Sequence, residues 1–422
     1  MNFLHTEIGS AKDNQKSPIH NWYKFTAGFS YKFVDEIIEL EKLSNNKHSE
    51  IFDPFAGCGT TLVSAQKKSI KAIGNESQEF MYNVIKGKLG WDIQPDLFKA
   101  YLEFIFDSIS EENTASSIKT TAHSLLMTLY DEDVLRTLYQ IKDSINDIED
   151  KKYSLFFKLA LSQVLHKVSN HPIAIPYISR NKYLHNKKTV WETFQAIAQQ
   201  MLTDALPFTN KSRTSKIYLH DSRKPNRFIK DVQCNLCITS PPYLNNLDYG
   251  EVSKVHTHFF DITSSWNDIT NKVRKKLVTG ATTHYTEADF DLTNYLASDF
   301  ATMNPSIVLD LVKLSLSIKD AAIQRSGKKS FDILTLLYFE DMHKVLIEIK
   351  RVLKQSAKAY LILGDSAPYG IHVATTEILG KIALNIGFKK YEIHKIRTRG
   401  TKWKSLRFRH SLELSENVLI LQ

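Results

Sequence analysis

Between Ile51 and Thr61 the chain reads Ile-Phe-Asp-Pro-Phe-Ala-Gly-Cys-Gly-Thr-Thr: an apolar strand that must bend within a few residues and run on as a helix. Gly57 and Gly59 supply the bend, because a backbone without Cβ takes left-handed dihedrals and approaches a ligand closely. Thr60 is placed to cap a helix continuing through Leu62, Val63 and Ala65. Such a strand–turn–helix unit commits the chain to an α/β layer architecture. Short apolar runs repeat the theme and predict strands over 50–53, 71–75, 216–219, 236–239, 359–363, 391–396 and 418–421. Two amphipathic helices stand out among the late strands. One carries Phe339, Met342, Leu346, Ile349 and Leu353, and the other starts at a capping Thr375 and ends at Gly387.

The acidic residues that close these strands indicate what the turn can hold. Glu76 follows the second strand and Asp221 follows the third. A carboxylate at the second strand end can accept both hydroxyls of a ribose, and one at the third can accept an adenine amino group. The turn lacks the third glycine of a dinucleotide fingerprint and the lysine of a phosphate-cradling loop, so pyrophosphate is not its natural ligand. Adenosine bearing a sulfonium amino acid fits better, with Asp53 facing the positive methionine portion.

The second chemical segment is Thr239-Ser240-Pro241-Pro242-Tyr243, directly after a buried strand. Consecutive prolines hold the backbone extended and remove two N–H donors, which leaves carbonyls to accept from an amine. Ser240 adds another acceptor and Tyr243 an aromatic face for a planar ring. These parts suit an exocyclic amine held beside a methyl donor, by positioning and electrostatics and without a covalent nucleophile. Inside a duplex such an amine is stacked and paired, so the base must be flipped out.

Phe55-Ala56-Gly57-Cys58-Gly59 and Thr239-Ser240-Pro241-Pro242-Tyr243, with the extension Leu244 to Tyr249, resemble the cofactor and catalytic motifs of the amino-methyltransferases of restriction–modification systems. His20, Trp22, Tyr23, Gly28, Phe29 and Ser30 resemble the family's segment ahead of the cofactor turn, and Leu363-Gly364-Asp365-Ser366 a later strand end. The resemblance implies a Rossmann-like, seven-stranded class I methyltransferase sheet with one antiparallel strand, plus largely helical insertions. It implies S-adenosyl-L-methionine as cofactor, with Trp22, Phe29, Ser30, Asp53, Phe55, Gly57, Gly59, Thr60, Glu76 and Asp221 around it. It also implies catalytic roles for Ser240, Pro241, Pro242 and Tyr243. Serine at the first catalytic position goes more often with N4 of cytosine in this family, and Asp or Asn with N6 of adenine. N4-cytosine in double-stranded DNA is therefore the expected acceptor, with N6-adenine and an RNA base as alternatives. A cognate restriction endonuclease acting on the same site is a candidate partner.

The motif positions divide the chain. The catalytic domain is expected to comprise 19–90, 216–251 and 332–422, with a helical insertion at 91–215 and a candidate target-recognition insertion at 252–331. Many serine-bearing family members place the catalytic motif first, whereas here the cofactor motif leads. The net charge of +9 suits a polyanion. Lys272, Arg274 and Lys275 in the second insertion, and Arg397, Arg399, Lys402, Lys404 and Arg407 in the loop between the last strands, are the expected DNA contacts. The 3 cysteines do not make a disulfide framework, and Cys234 and Cys237 sit in an apolar strand, so no metal site is expected. Residues 1–14 have no apolar core and no apolar run reaches a membrane span, so a cytoplasmic location is expected.

Overall fold

The computed structural model describes residues 11–25, 28–43, 48–110, 123–174, 177–178, 183–184, 188–209, 215–245, 247–399 and 412–422. Seven strands form one sheet: β1 (Glu50–Asp53), β2 (Lys71–Glu76), β3 (Ser215–Leu219), β4 (Cys234–Thr239), β5 (Leu353–Gly364), β6 (Tyr391–Arg399) and β7 (Leu414–Leu421). Their order is β3-β2-β1-β4-β5-β7-β6. Strands β1 to β5 pair in parallel, while β7 runs antiparallel to both β5 and β6. This is the expected α/β sheet with a single reversed strand. Strand β5 begins before the apolar run at 359–363. Its first residue, Leu353, is buried and pairs with Cys234, and the mostly polar residues 354–358 that follow are partly or fully exposed and span a register shift.

Alternation along the central strands divides the interior in two. Ile51, Leu236, Ile238, Tyr360 and Ile362 point to one side, into a core shared with the helices α1 (Tyr31–Leu40), α2 (Thr60–Lys67) and α3 (Glu79–Leu89). Phe52, Cys237, Ala359, Leu361 and Leu363 point to the other, where helices Phe331–Val352 and Thr375–Ile386 pack. Burial on both faces is why the central strands read as unbroken apolar runs. Two cap assignments change. Gly59 (φ 83°) and Ala374 occupy the cap positions, so Thr60 and Thr375 are the first helical residues. Gly387 (φ 108°) ends its helix as expected.

Between Trp91 and β3 the described residues are largely helical, with helices Pro95–Ser110, Glu132–Asn146, Lys151–Lys167 and Val190–Ala205. Its apolar faces continue the first core, and Trp22 meets Phe156 edge-on at 5.5 Å. The segment after the catalytic motif carries the 20-residue helix Pro305–Gln324 and packs partly on the second core. The two segments also touch each other. Lys142 Nζ lies 2.7 Å from Asp261 Oδ2, and His166 Nε2 lies 3.2 Å from His256 Nε2. Among the described residues no helix is long and apolar enough to cross a membrane.

Candidate active site

The sheet winds outward in opposite directions from β1 and β4, so the loops leaving these neighbours diverge and open a crevice at their carboxyl ends. The glycine turn leaves β1 and the Ser-Pro-Pro-Tyr loop leaves β4. Both line one cleft. Phe55 to Gly57, Glu76 and Asp221 form one part of its wall, and Ser240 and Pro242 another. Phe25, Phe29, Met81, Leu277 and Val278 make much of the remainder apolar.

The turn is built by backbone bonds. Ala56 N–H donates to Asn75 O at 3.0 Å and Gly59 N–H to Ala56 O at 2.7 Å, with Gly57 at φ 55°. Glu76 Oε2 accepts from Gly57 N–H at 2.9 Å, and its Oε1 accepts from Gln78 N–H at 2.8 Å. Burial pushes its carboxyl up to about 7 against those two bonds, with Asp53 nearby adding to the rise. Asp221 is clamped by Arg223, whose Nε and Nη2 donate at 3.0 and 2.9 Å. Arg223 also donates to Asp341 and to the carbonyl of Lys275, tying the third strand end to the segment that carries Leu277 and Val278.

Asp53 stands behind the cleft wall. It is 1% exposed, and its Oδ1 accepts from Phe55 N–H at 3.0 Å and from Thr239 Oγ1 at 2.7 Å. It therefore fastens the root of the glycine turn to the root of the proline loop. Burial raises its carboxyl to about 6, opposed by hydrogen bonds from Thr239, Thr61 and Phe55.

In the proline loop, Ser240 Oγ donates to Ile362 O at 3.4 Å and the carbonyl of Pro242 accepts from Tyr338 Oη at 3.0 Å. Pro241 is buried. Tyr243 lines a smaller cavity with Gly28, Phe29, Ser30, Arg397 and Glu416. Gly28 and Phe29 border both cavities. Tyr243 Oη donates to Glu416 Oε1 at 3.0 Å, while Arg397 Nε sits 2.5 Å from the other oxygen. Burial, reinforced by the Glu416 charge, pushes the phenol well above its ordinary range. The Arg399 guanidinium lies 5.0 Å from the centre of the ring.

Other expected site residues fall elsewhere. Trp22 is 1% exposed and donates to Asp204 at 3.2 Å, which seats the first insertion and leaves it off the cleft. Ser30 caps α1 and donates to Asp13 at 2.8 Å. Gly59 packs against Ile85. Arg274 is not a surface cation: it is 7% exposed, with Nε 2.8 Å from Asp248 Oδ2. Burial would raise the Asp248 carboxyl, yet His284, Arg274 and Thr283 together hold it below the usual carboxylate range. This cluster pins the continuation of the catalytic loop. Lys272 pairs with Asp268 and Lys275 is exposed. Lys402, Lys404 and Arg407, with Trp403 and Phe408, lie outside the described residues.

Sequence reasoning missed Glu416, Arg223 and the wall at Lys276 to Val278. Glu416 did leave a signal, as an acidic residue inside the apolar run of β7. The wall left none, because its sequence does not differ from an ordinary loop.

The family profile described as "DNA methylase" matches residues 6–87. Over 408 residues the chain is 21% identical to "Type II methyltransferase M.MvaI" of Kocuria varians, spanning 92% of this chain and 85% of that protein. Over 450 residues it is 24% identical to "Type II methyltransferase M.BsoBI" of Geobacillus stearothermophilus, spanning 93% and 83%. "Type II methyltransferase M.AvaI" of Nostoc sp. is 21% identical over 422 residues, spanning 92% and 83%. These alignments run through both motifs and both insertions, and with the strand order and the shared cleft they support placing the chain with the DNA amino-methyltransferases of restriction–modification systems.

Proposed function

We propose that the protein transfers a methyl group from S-adenosyl-L-methionine to the exocyclic N4 of cytosine in double-stranded DNA, by base flipping and direct displacement. The observation that carries this reading is the single cleft lined by both the glycine turn and the Ser240–Pro242 loop.

The cleft suits the cofactor by the chemistry of its lining. Both Glu76 oxygens are fixed by backbone N–H groups, so their remaining lone pairs are presented to a diol. Asp221, held by Arg223, offers an acceptor for an adenine amine, and Phe55 and Met81 offer apolar faces. When bound, the cofactor supplies an electrophilic methyl carried on sulfur. Ser240 and the carbonyl of Pro241 accept from the target amine, while the carbonyl of Pro242 accepts from Tyr338. Those two hydrogen bonds orient the amine and draw its protons away from the reacting side. Tyr243 provides the stacking face that offsets part of the flipping cost. Glu416 keeps that ring in one orientation.

Ser240 at the first catalytic position supports cytosine over adenine. The test is incubation with unmodified DNA and labelled cofactor, followed by mass analysis of the digested nucleosides. N4-methylcytosine is the expected product. N6-methyladenine would overturn the assignment of the base, and labelling confined to RNA would overturn the assignment of DNA.

A further inference from the structure

We infer that Arg399 is a specificity-determining residue whose guanidinium grips the N3 and O2 edge of the flipped cytosine; this deepens the reading of Tyr243 as the stacking platform and rests on it. The residue stands at the end of β6 with its guanidinium carbon 5.0 Å from the centre of the Tyr243 ring. Two residues earlier on the same strand, Arg397 is paired with Glu416. Among the described residues Arg399 has no carboxylate or carbonyl partner, and the ring is what it lies against. It is half-buried, and its charge also acts on Tyr249, which lines the main cleft.

The space for this arrangement is built in. A Cβ at Gly364 would come within 2.0 Å of Arg399 Nη1 and 2.9 Å of the Tyr243 ring, so a side chain there would displace both. A planar cation on an aromatic face is a favourable contact, but it leaves the N–H fork of the guanidinium without acceptors. A planar base reaching the same ring supplies them.

Base chemistry then discriminates. On cytosine, the atoms beside N4 along the pairing edge are N3 and then O2, two adjacent acceptors that match a guanidinium fork. On adenine, the atom beyond N6 is N1 and the next position is a C–H. The fork is satisfied fully by cytosine and only half by adenine, and an unpaired buried donor is costly. Ser240 and Pro241 test for an amine, which both bases have. Arg399 tests for what lies beside it.

The experiment compares wild type, Arg399→Met and Arg399→Lys, after the modified positions have been mapped by sequencing. Each protein is given a duplex with cytosine at the target position and the same duplex with an abasic site there. Binding of S-adenosylhomocysteine reports on the fold. The Met variant is expected to lose about 10- to 100-fold in kcat/KM on the cytosine duplex, the scale of one bidentate base contact. It should bind the abasic duplex and S-adenosylhomocysteine as wild type does, and lysine should restore only part of the loss. Equal loss on the abasic duplex would make Arg399 a backbone contact and overturn the inference. So would full rescue by lysine, or no loss at all. An N6-methyladenine product from wild type would overturn both this inference and the proposed function. N4-methylcytosine with an unchanged variant would overturn this inference alone.

Discussion

Replacing Glu76 with glutamine should make the ligand-free protein more stable at alkaline pH while weakening its hold on cofactor. In the folded chain the Glu76 carboxyl keeps its proton up to about 7, against an ordinary 4.5. At about 1.4 kcal/mol per pH unit, ionising it in place costs about 3 kcal/mol relative to the unfolded chain. The folded state binds more protons between those two values, so wild-type stability falls as pH rises from about 4.5 to about 7 and is level above. Glu76→Gln removes that slope. Its amide keeps one acceptor oxygen for Gly57 or Gln78 and turns an NH2 toward the other, offsetting about 1–2 kcal/mol. The variant should therefore gain on wild type by about 3 kcal/mol between pH 5 and pH 8, with a net advantage of about 1 kcal/mol at the upper end. Its affinity for S-adenosylhomocysteine should drop about 10- to 100-fold, as expected when hydrogen bonds to a charged acceptor are lost. Denaturant unfolding at several pH values, with calorimetric binding at pH 8, measures both. Parallel pH curves would show that Glu76 is not the group held under strain by burial. Unchanged affinity would remove it from the cofactor site.

Three further outcomes follow from the geometry. Glu416→Gln weakens the clamp on Tyr243 and should lower kcat by about 10-fold, with the KM for cofactor unmoved in steady-state assays. Asp248→Ala strands the buried Arg274 charge and should cost about 3–5 kcal/mol of stability, read from the unfolding midpoint. Gly364→Ala drives a Cβ against Arg399 and Tyr243, so methyl transfer to DNA should fall while S-adenosylhomocysteine binds normally in calorimetry.

What the sequence made legible was local. Strand β1 was readable to the residue because the apolar pair Ile51 and Phe52 stands directly ahead of the glycine bend, and that bend was readable because few residues tolerate its dihedrals. Glu76 and Asp221 followed because each closes a strand beside that bend. What stayed hidden depends on partners far along the chain. Asp53 reads as a cofactor ligand until Thr239, 186 residues later, is seen to hold it. Trp22 reads as a cofactor contact until Asp204, 182 residues away, takes its indole. Arg274 sits in a run of basic residues that suggests a surface, yet the fold brings Asp248 to it. Thr60 looked like a cap because a hydroxyl normally serves there, whereas a left-handed glycine does so here without a side chain.

The short bond between Asp53 and Thr239 has an evolutionary corollary. It joins two strands that lie edge to edge, and it is indifferent to which of them the ribosome makes first. Splitting the gene between the two motifs and fusing the old termini would scramble the linear text while leaving that handshake, and the distance between donor and acceptor, unaltered. Relatives that carry the motifs in reversed sequence need no new chemistry, only a different place to begin translation.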